Sequence, residues 1–453
     1  MLHHQLIALP SVAWAAGGGG EGASSNLGLI VALILSVVAA YLLAHFLVNR
    51  LQQRFLFITG FEYALVGFLL GPAVPQIPAF EDLTPLSPVL ALAAGWIGLL
   101  YGTALDLRDE TLTADVVRIG LVEAIGSGAA VALASWWMLT QGLVLILPLQ
   151  DLLGATWPAL AFDAQPLSNS QAGLCAAVLG CVAAARSSSA LDLLQARYGL
   201  DGGMAGVLRG ATQVADIAAI IAFGLIFCVV HVGETQLGRT VVWGEWVLLT
   251  QALGLVLGLM FGQFLGRDES HSDNNAFLAL VGIMAFASGA AFYLNLSSML
   301  VNMIVGVVLV HASQHGRAVV PALRRTVHPL RLLMLVFAGA LITNVPLVPT
   351  VALTLGLLAA RTAAKIGAGW LATLGTTARR DFARGTLAQG DVALAMALSF
   401  RIAYDGPGVD ITYAAIVLSV IVNEFFAPRL LKGLLVDAGE IRSDTALRPA
   451  VGQ

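Results

Sequence analysis

A single carboxylate, Asp216, stands within the apolar stretch ATQVADIAAIIAFG (Ala211–Gly224), part of a run extending from about Gly210 to Val230. As a helix rising 1.5 Å per residue, that run is long enough to cross a bilayer core of roughly 30 Å. An ionisable side chain at such depth costs about 2.5–3.5 kcal/mol on insertion scales, so it faces protein or water and is kept for ion or proton movement. The plainer alternative is a structural Asp that caps a break or pairs with a neighbouring helix. Hard alkali cations take oxygen ligands, and Asp216 with the hydroxyls of Ser188 and Ser189 and free backbone carbonyls would supply them.

Those serines belong to one of two segments that interrupt themselves. Within 170–191 the polar group Arg186-Ser187-Ser188-Ser189 sits where a helix should continue, and 386–403 opens on TLAQGDVALAMALSF with Gly390-Asp391 near one end. These are the fifth and twelfth apolar segments, the places where two inverted halves of a transporter put their discontinuous helices. Unwound backbone and helix termini there bind or neutralise ions. Serines bonding back to their own helix, with Gly390 as a packing site, would give the same letters without function.

The composition sets the frame for these elements. With 58% hydrophobic and only 11% charged residues and a mean hydropathy of +0.86, the chain departs from soluble proteins, which carry roughly 25% charged residues. It reads as an all-α polytopic membrane protein. Apolar segments recur at 27–49, 57–78, 86–105, 115–139, 170–191, 204–231, 241–266, 275–295, 297–313, 328–345, 347–374, 386–403 and 410–432, about thirteen transmembrane helices. With this count nearly all Lys and Arg near helix ends fall on one side, which by the positive-inside rule puts the amino terminus outside and the carboxyl terminus in the cytoplasm. A bacterial-type plasma (inner) membrane is the expected location. The connection 141–169, broken by Pro148, Gly154, Pro158 and Pro166, reads as lying along the outer interface.

Three parts are expected: an extracytoplasmic tail over 1–25, a membrane domain over 26–433 and a short cytoplasmic tail over 434–453. The first resembles a cleavable signal, except that His3 and His4 stand where Lys or Arg is usual, which leaves a cleaved signal and a retained tail as alternatives. The tail is too short for a nucleotide-binding regulatory domain. A net charge of −4 without a basic tract argues against nucleic acid as a partner. Cys175, Cys181 and Cys228 lie singly in apolar segments and read as packing residues, and no phosphate-binding glycine loop or cofactor motif is found.

Several motifs, in order, resemble the cation:proton antiporter superfamily, particularly its Kef-type and sodium/proton branch. FEYALVGFLLGP (Phe61–Pro72) is similar to the second-helix signature, LAAGWIGLLYGTALDLRDE (Leu92–Glu110) to the third helix, ARSSSALDLL (Ala185–Leu194) to the fifth-helix crossover and ADIAAI (Ala215–Ile220) to the sixth-helix element. Leu296–Gly306 and Leu387–Ala395 are similar to the ninth helix and to the start of the twelfth. The resemblance implies an inverted-repeat antiporter fold with discontinuous fifth and twelfth helices, a homodimer in membrane lipid, no enzymatic activity, and exchange of transported Na+ or K+ for H+ rather than a resident cofactor.

Carried over residue by residue, Asp216 matches the carboxylate that binds the metal ion or the proton. The polar residue that usually precedes it is here Ala215, and Gln213, about one turn earlier, is the candidate replacement. Lys365 matches the basic residue placed opposite the sixth-helix acid, with Arg361 one turn before it on the same face. Two cations so spaced repel unless acids compensate, so Asp216 and a second acid among Glu62, Glu123, Asp391 and Glu424 are expected nearby. Arg186 departs from the usually uncharged crossover. The reading adopted turns it away from Asp216, toward Asp192 or a carbonyl; otherwise it would weaken cation transport. A one-for-one exchange through a single acid is the simpler stoichiometry. The rival readings are a carrier of an anionic or organic solute, using Arg186 and Arg361, and a transport-inactive sensor or assembly component.

Overall fold

Helix starts follow the local sequence. Thr113 and Ser168 cap the helices after them, their hydroxyls accepting from the Val116 and Gln171 N–H groups at 3.4 and 3.3 Å, while Pro88 and Pro407 open theirs at positions where a missing N–H costs nothing. The computed structural model of the chain describes residues 61–71, 86–105, 112–142, 167–200, 202–232, 241–267, 273–312, 320–342, 345–376 and 378–441. Among them fourteen α-helices are found: α1 (Phe61–Leu70), α2 (Ser87–Ala104), α3 (Ala114–Trp137, closed by a π turn), α4 (Asn169–Ala184), α5 (Ser189–Tyr198), α6 (Gly203–Val229), α7 (Trp243–Arg267), α8 (Asp273–Tyr293), α9 (Ser298–Ala312), α10 (Val320–Arg325), α11 (Val327–Ala340), α12 (Leu347–Ala372), α13 (Asp391–Ala403) and α14 (Pro407–Asp437).

Seven spans among the described residues are long and apolar enough to cross a membrane, with three shorter apolar helices beside them. The expected segment 27–49 and most of the 141–169 connection lie outside the described residues. Outward faces carry Ile125, Leu133, Leu248, Met260, Phe286 and Leu355, all exposed. Apolar residues displayed around a bundle suit hydrocarbon, in which each helix satisfies its own backbone.

The helices sort into two bundles. In one, α2 packs on α9, α9 on α7 and α8, and α1 on α11; in the other, α3 packs on α4, α6 and α12, and α12 and α13 on α14. Small residues allow the closest approaches: added Cβ atoms on Gly95, Gly98 and Gly102 of α2 would strike Asn302 or the backbone of α9. Between the bundles, α2 and α11 meet α13, and a core including Ile97, Leu179, Ile220, Phe223, Met299, Val392 and Met396 fills the middle. One end of the assembly carries Arg118, Arg209, Arg379 and Arg384; there Arg118 reaches the Leu374 carbonyl at 2.9 Å and Arg384 reaches Asp437 at 2.6 Å.

Candidate functional site

Both expected interruptions are present, and they cross. Helix α4 stops at Ala184, residues 185–188 run unwound, and α5 resumes at Ser189; a 3-10 turn at Phe382–Gly385 is followed by unwound chain to Gly390, where α13 begins. A Cβ on Gly390 would collide with the Ser187 side chain, so the crossing requires glycine at that point.

Breaking a helix orphans carbonyls at its end, and here long cationic and amide side chains take them. Lys365 Nζ donates to the Ala184 carbonyl at 3.0 Å. Arg361 donates to the carbonyls of Leu387 at 2.6 Å, Ala185 at 3.2 Å and Ala388 at 3.4 Å, bridging both unwound segments from α12. Gln389 reaches the Val182 carbonyl at 3.3 Å, and its own carbonyl accepts from Ser419 and Asn423 of α14 at 3.0 and 2.6 Å.

Asp216 lies near the middle of α6, fully buried beside this crossing. One carboxylate oxygen accepts from the Arg186 backbone N–H at 2.7 Å, while Oδ2 has no hydrogen-bond partner among the described residues. The Tyr101 hydroxyl lies beside the carboxylate, and Oδ2 is an acceptor without a fixed partner. The carboxylate borders a cavity of about 280 Å³, lined also by Leu100, Tyr101, Ala104 and Val327 from one bundle and by Ser188, Asp192, Arg209, Thr212 and Gln213 from the other. Arg209 and Asp192, 3.8 Å apart and both well exposed, mark its mouth toward the arginine-bearing end. The seven residue steps from Arg209 to Asp216 span about 10 Å of helix.

The expected site residues separate into three groups. Ser188 and Gln213 line the cavity with Asp216; Ser188 donates to Asp192 at 3.1 Å, and the Gln213 amide donates to the Ala104 carbonyl at the end of α2. Ser189 pairs with the Ser187 hydroxyl and is not among the cavity-lining residues. Of the acids expected near Lys365, it is the second that pairs with it: its ammonium lies 2.9 Å from Glu123 Oε1, with Asp216 close enough to feel its charge, and the other Glu123 oxygen pairs with the Arg186 guanidinium. Arg186 does turn from Asp216, yet its partner is Glu123 on α3 rather than Asp192. Arg361, Lys365, Arg186 and Glu123 are all buried.

The remaining acids gather elsewhere. Arg331 on α11 pairs with Glu424 on α14 and lies 3.2 Å from Asp391 at the start of α13, with Glu62 of α1 close enough to add to their field. Sequence reasoning did not single out Arg331, which it counted only among the basic residues near helix ends. It also did not single out Tyr101, which lines the cavity and interacts with Asp216. A tyrosine inside a glycine-rich apolar helix was the available signal.

No protein-family model matches the chain, and no curated protein matches it in sequence. Among solved structures it is similar to the sodium proton antiporter MjNhaP1 from Methanocaldococcus jannaschii at pH 8, with TM-score 0.60 and 17% identity over 90% of this chain and 99% of that one. A second structure of MjNhaP1, from an electron-microscopy map, gives TM-score 0.54 and 15% identity over 94% and 99%. At these identities the likeness shows the fold: the described helices are arranged as in that antiporter.

Proposed function

We propose that this chain, which shares its fold with a sodium proton antiporter, exchanges a monovalent alkali cation, sodium or potassium, for protons across a membrane. The observation that carries the reading is Asp216: a carboxylate buried at mid-helix, one oxygen unpaired, on the wall of a cavity between two bundles and beside two crossing unwound segments. A metal ion entering from the mouth would meet the Asp216 carboxylate and the Thr212 and Ser188 hydroxyls, oxygen ligands of the kind alkali ions take. Protonating the same carboxylate removes its charge and releases the ion. Metal ion and proton are therefore alternative occupants of one group.

Access alternates if the bundle holding α6 and α13 moves against the one holding α2 and α11. The cavity opens toward the arginine-bearing end, the cytoplasmic side by the positive-inside rule. Beyond Asp216 toward the other end, fully buried Ile220 and Phe223 close the path. One acid facing the cavity at mid-depth favours one-for-one exchange. A homodimer in a bacterial-type inner membrane, with an outside amino terminus, belongs to the same reading.

A carrier of anionic solutes would need Arg186 and Arg361 at the cavity, yet one is turned to Glu123 and the other to backbone carbonyls. The cation reading is tested by cation-dependent proton flux in proteoliposomes with sodium, potassium and lithium. Asp216→Asn abolishes it; flux retained in that variant overturns the assignment.

A further inference from the structure

Among the described residues the buried charges around Asp216 do not balance one to one: Arg186, Arg361 and Lys365 face Glu123 and Asp216. Arg361 is taken up by three carbonyls. The other two cations share a single acid, one on each oxygen of Glu123. Glu123 belongs to the buried stripe of α3 formed by Val116, Ile119, Gly120, Glu123 and Ser127. An added Cβ on Gly120 would strike Val214 and the Ala211 carbonyl, so this stripe lies directly on the helix that carries Asp216.

We infer that Glu123 is a positioning residue for the exchange site: by drawing the Arg186 guanidinium and the Lys365 ammonium onto its own carboxylate, it leaves Asp216 free to take a metal ion. The inference rests on the exchanger reading of Asp216. The backbone N–H of Arg186 already donates to Asp216 at 2.7 Å, so its guanidinium is tethered within a side chain's length of that carboxylate. A carboxylate locked against an arginine accepts a cation poorly, because the guanidinium occupies the same oxygens with five donors. The other charged or titratable groups around the pair are Tyr101 from α2, and Asp192 and Asp391, which act on Tyr101 from farther out. None of these bonds to Arg186 or Lys365, so among the described residues Glu123 is the one carboxylate paired with both cations, Lys365 being held by the Ala184 carbonyl as well.

The test compares Glu123→Gln, Glu123→Asp, Glu123→Gln/Arg186→Gln and Asp216→Asn in proteoliposomes, reading the apparent KM for the cation and the pH midpoint of flux separately from the maximal rate. Glu123→Gln strands two cations whose nearest remaining carboxylate is Asp216. It raises KM about tenfold or more and moves the pH midpoint about one unit toward acid, since positive charge disfavours binding of either occupant. Glu123→Asp keeps the carboxylate and stays near the wild-type values. The double variant removes one cation with the acid and moves both quantities back toward wild type; it decides the question if the single variant does not fold. Wild-type KM and pH midpoint in Glu123→Gln with only a lower maximal rate, or a double variant as impaired in KM as the single one, overturns the role of Glu123 and leaves that of Asp216 standing. Flux persisting in Asp216→Asn overturns both.

Discussion

Arg331 and Asp391 meet across the gap between the two bundles, the guanidinium Nε of α11 lying 3.2 Å from the carboxylate Oδ1 at the first residue of α13. The same guanidinium pairs with Glu424 of α14, so one side chain of the first bundle ties two helices of the second. Farther along the same two helices, the Tyr413 hydroxyl of α14 donates to the Ala338 carbonyl of α11 at 2.8 Å. Removing one member of a buried ion pair strands its partner, at a cost of roughly 3–5 kcal/mol. Arg331→Gln therefore lowers the thermal unfolding temperature clearly. Arg331→Gln/Glu424→Gln recovers part of the loss, because fewer acids are stranded. Equal melting of wild type and the single variant in detergent would show that the tether carries no stability.

The cavity predicts a one-sided pattern of reactivity. Cys175, Cys181 and Cys228 are buried, so the native chain gives little background with a membrane-impermeant thiol reagent. Ser188→Cys, on the cavity wall, is labelled from the arginine-bearing side and protected by pre-labelling from that side. Ile220→Cys, one turn beyond Asp216 and fully buried, stays unlabelled. Labelling of position 188 from the opposite side would contradict the placement of the mouth.

The all-helical fold, the two interruptions and the mid-span burial of Asp216 were legible because each rests on local rules, whereas the count of thirteen segments reaches beyond the described residues, which hold seven spans long enough to cross. A run of apolar residues sets a span, a polar group such as Arg186–Ser189 breaks it, and an acid in mid-span stands out against its neighbours. The pairing of the buried charges was not legible. Lys365 was expected opposite Asp216 with one of four acids beside it; which of the four it bonds, Glu123, and its bond to the Ala184 carbonyl appear only in the structure. Which acid a lysine selects depends on rotamers and helix rotation that no spacing along one helix encodes. Arg331 was hidden for the same reason: its partners lie on α13 and α14, 60 and 93 positions later.

Outside the spans, Arg379 grips Asp381 through Nε at 3.0 Å and Nη2 at 3.2 Å, and this hydrogen bonding holds the carboxyl below its usual range. A lowered carboxylate contributes its stability above the unfolded value of about 3.9 and loses it as pH falls through the folded value. The pair is partly exposed and screened, so Asp381→Asn costs at most about 1 kcal/mol near neutrality. Melting curves of the two proteins differ slightly at neutral pH and converge in acid. A gap that widens on acidification would reverse the sign of this argument.

At Gly390 the crossing segments approach closely: an added Cβ would lie 2.7 Å from the Ser187 Cβ and closer still to its hydroxyl. Alanine there must push the two unwound segments apart, since the backbone on either side is pinned by Arg361 and Gln389. Overpacking of a close contact typically costs about 1–3 kcal/mol. Separating the segments also disturbs the Arg186 N–H that binds Asp216, one residue before Ser187 in the chain. Gly390→Ala thus lowers both the unfolding temperature and cation-dependent flux. Replacing the obstructing partner as well, in Gly390→Ala/Ser187→Gly, restores flux before it restores stability, because the glycine relieves the clash while loosening the unwound chain. If the single substitution leaves flux and melting at wild-type values, the two segments are not held in the contact described, and the link from the crossing to Asp216 fails with it.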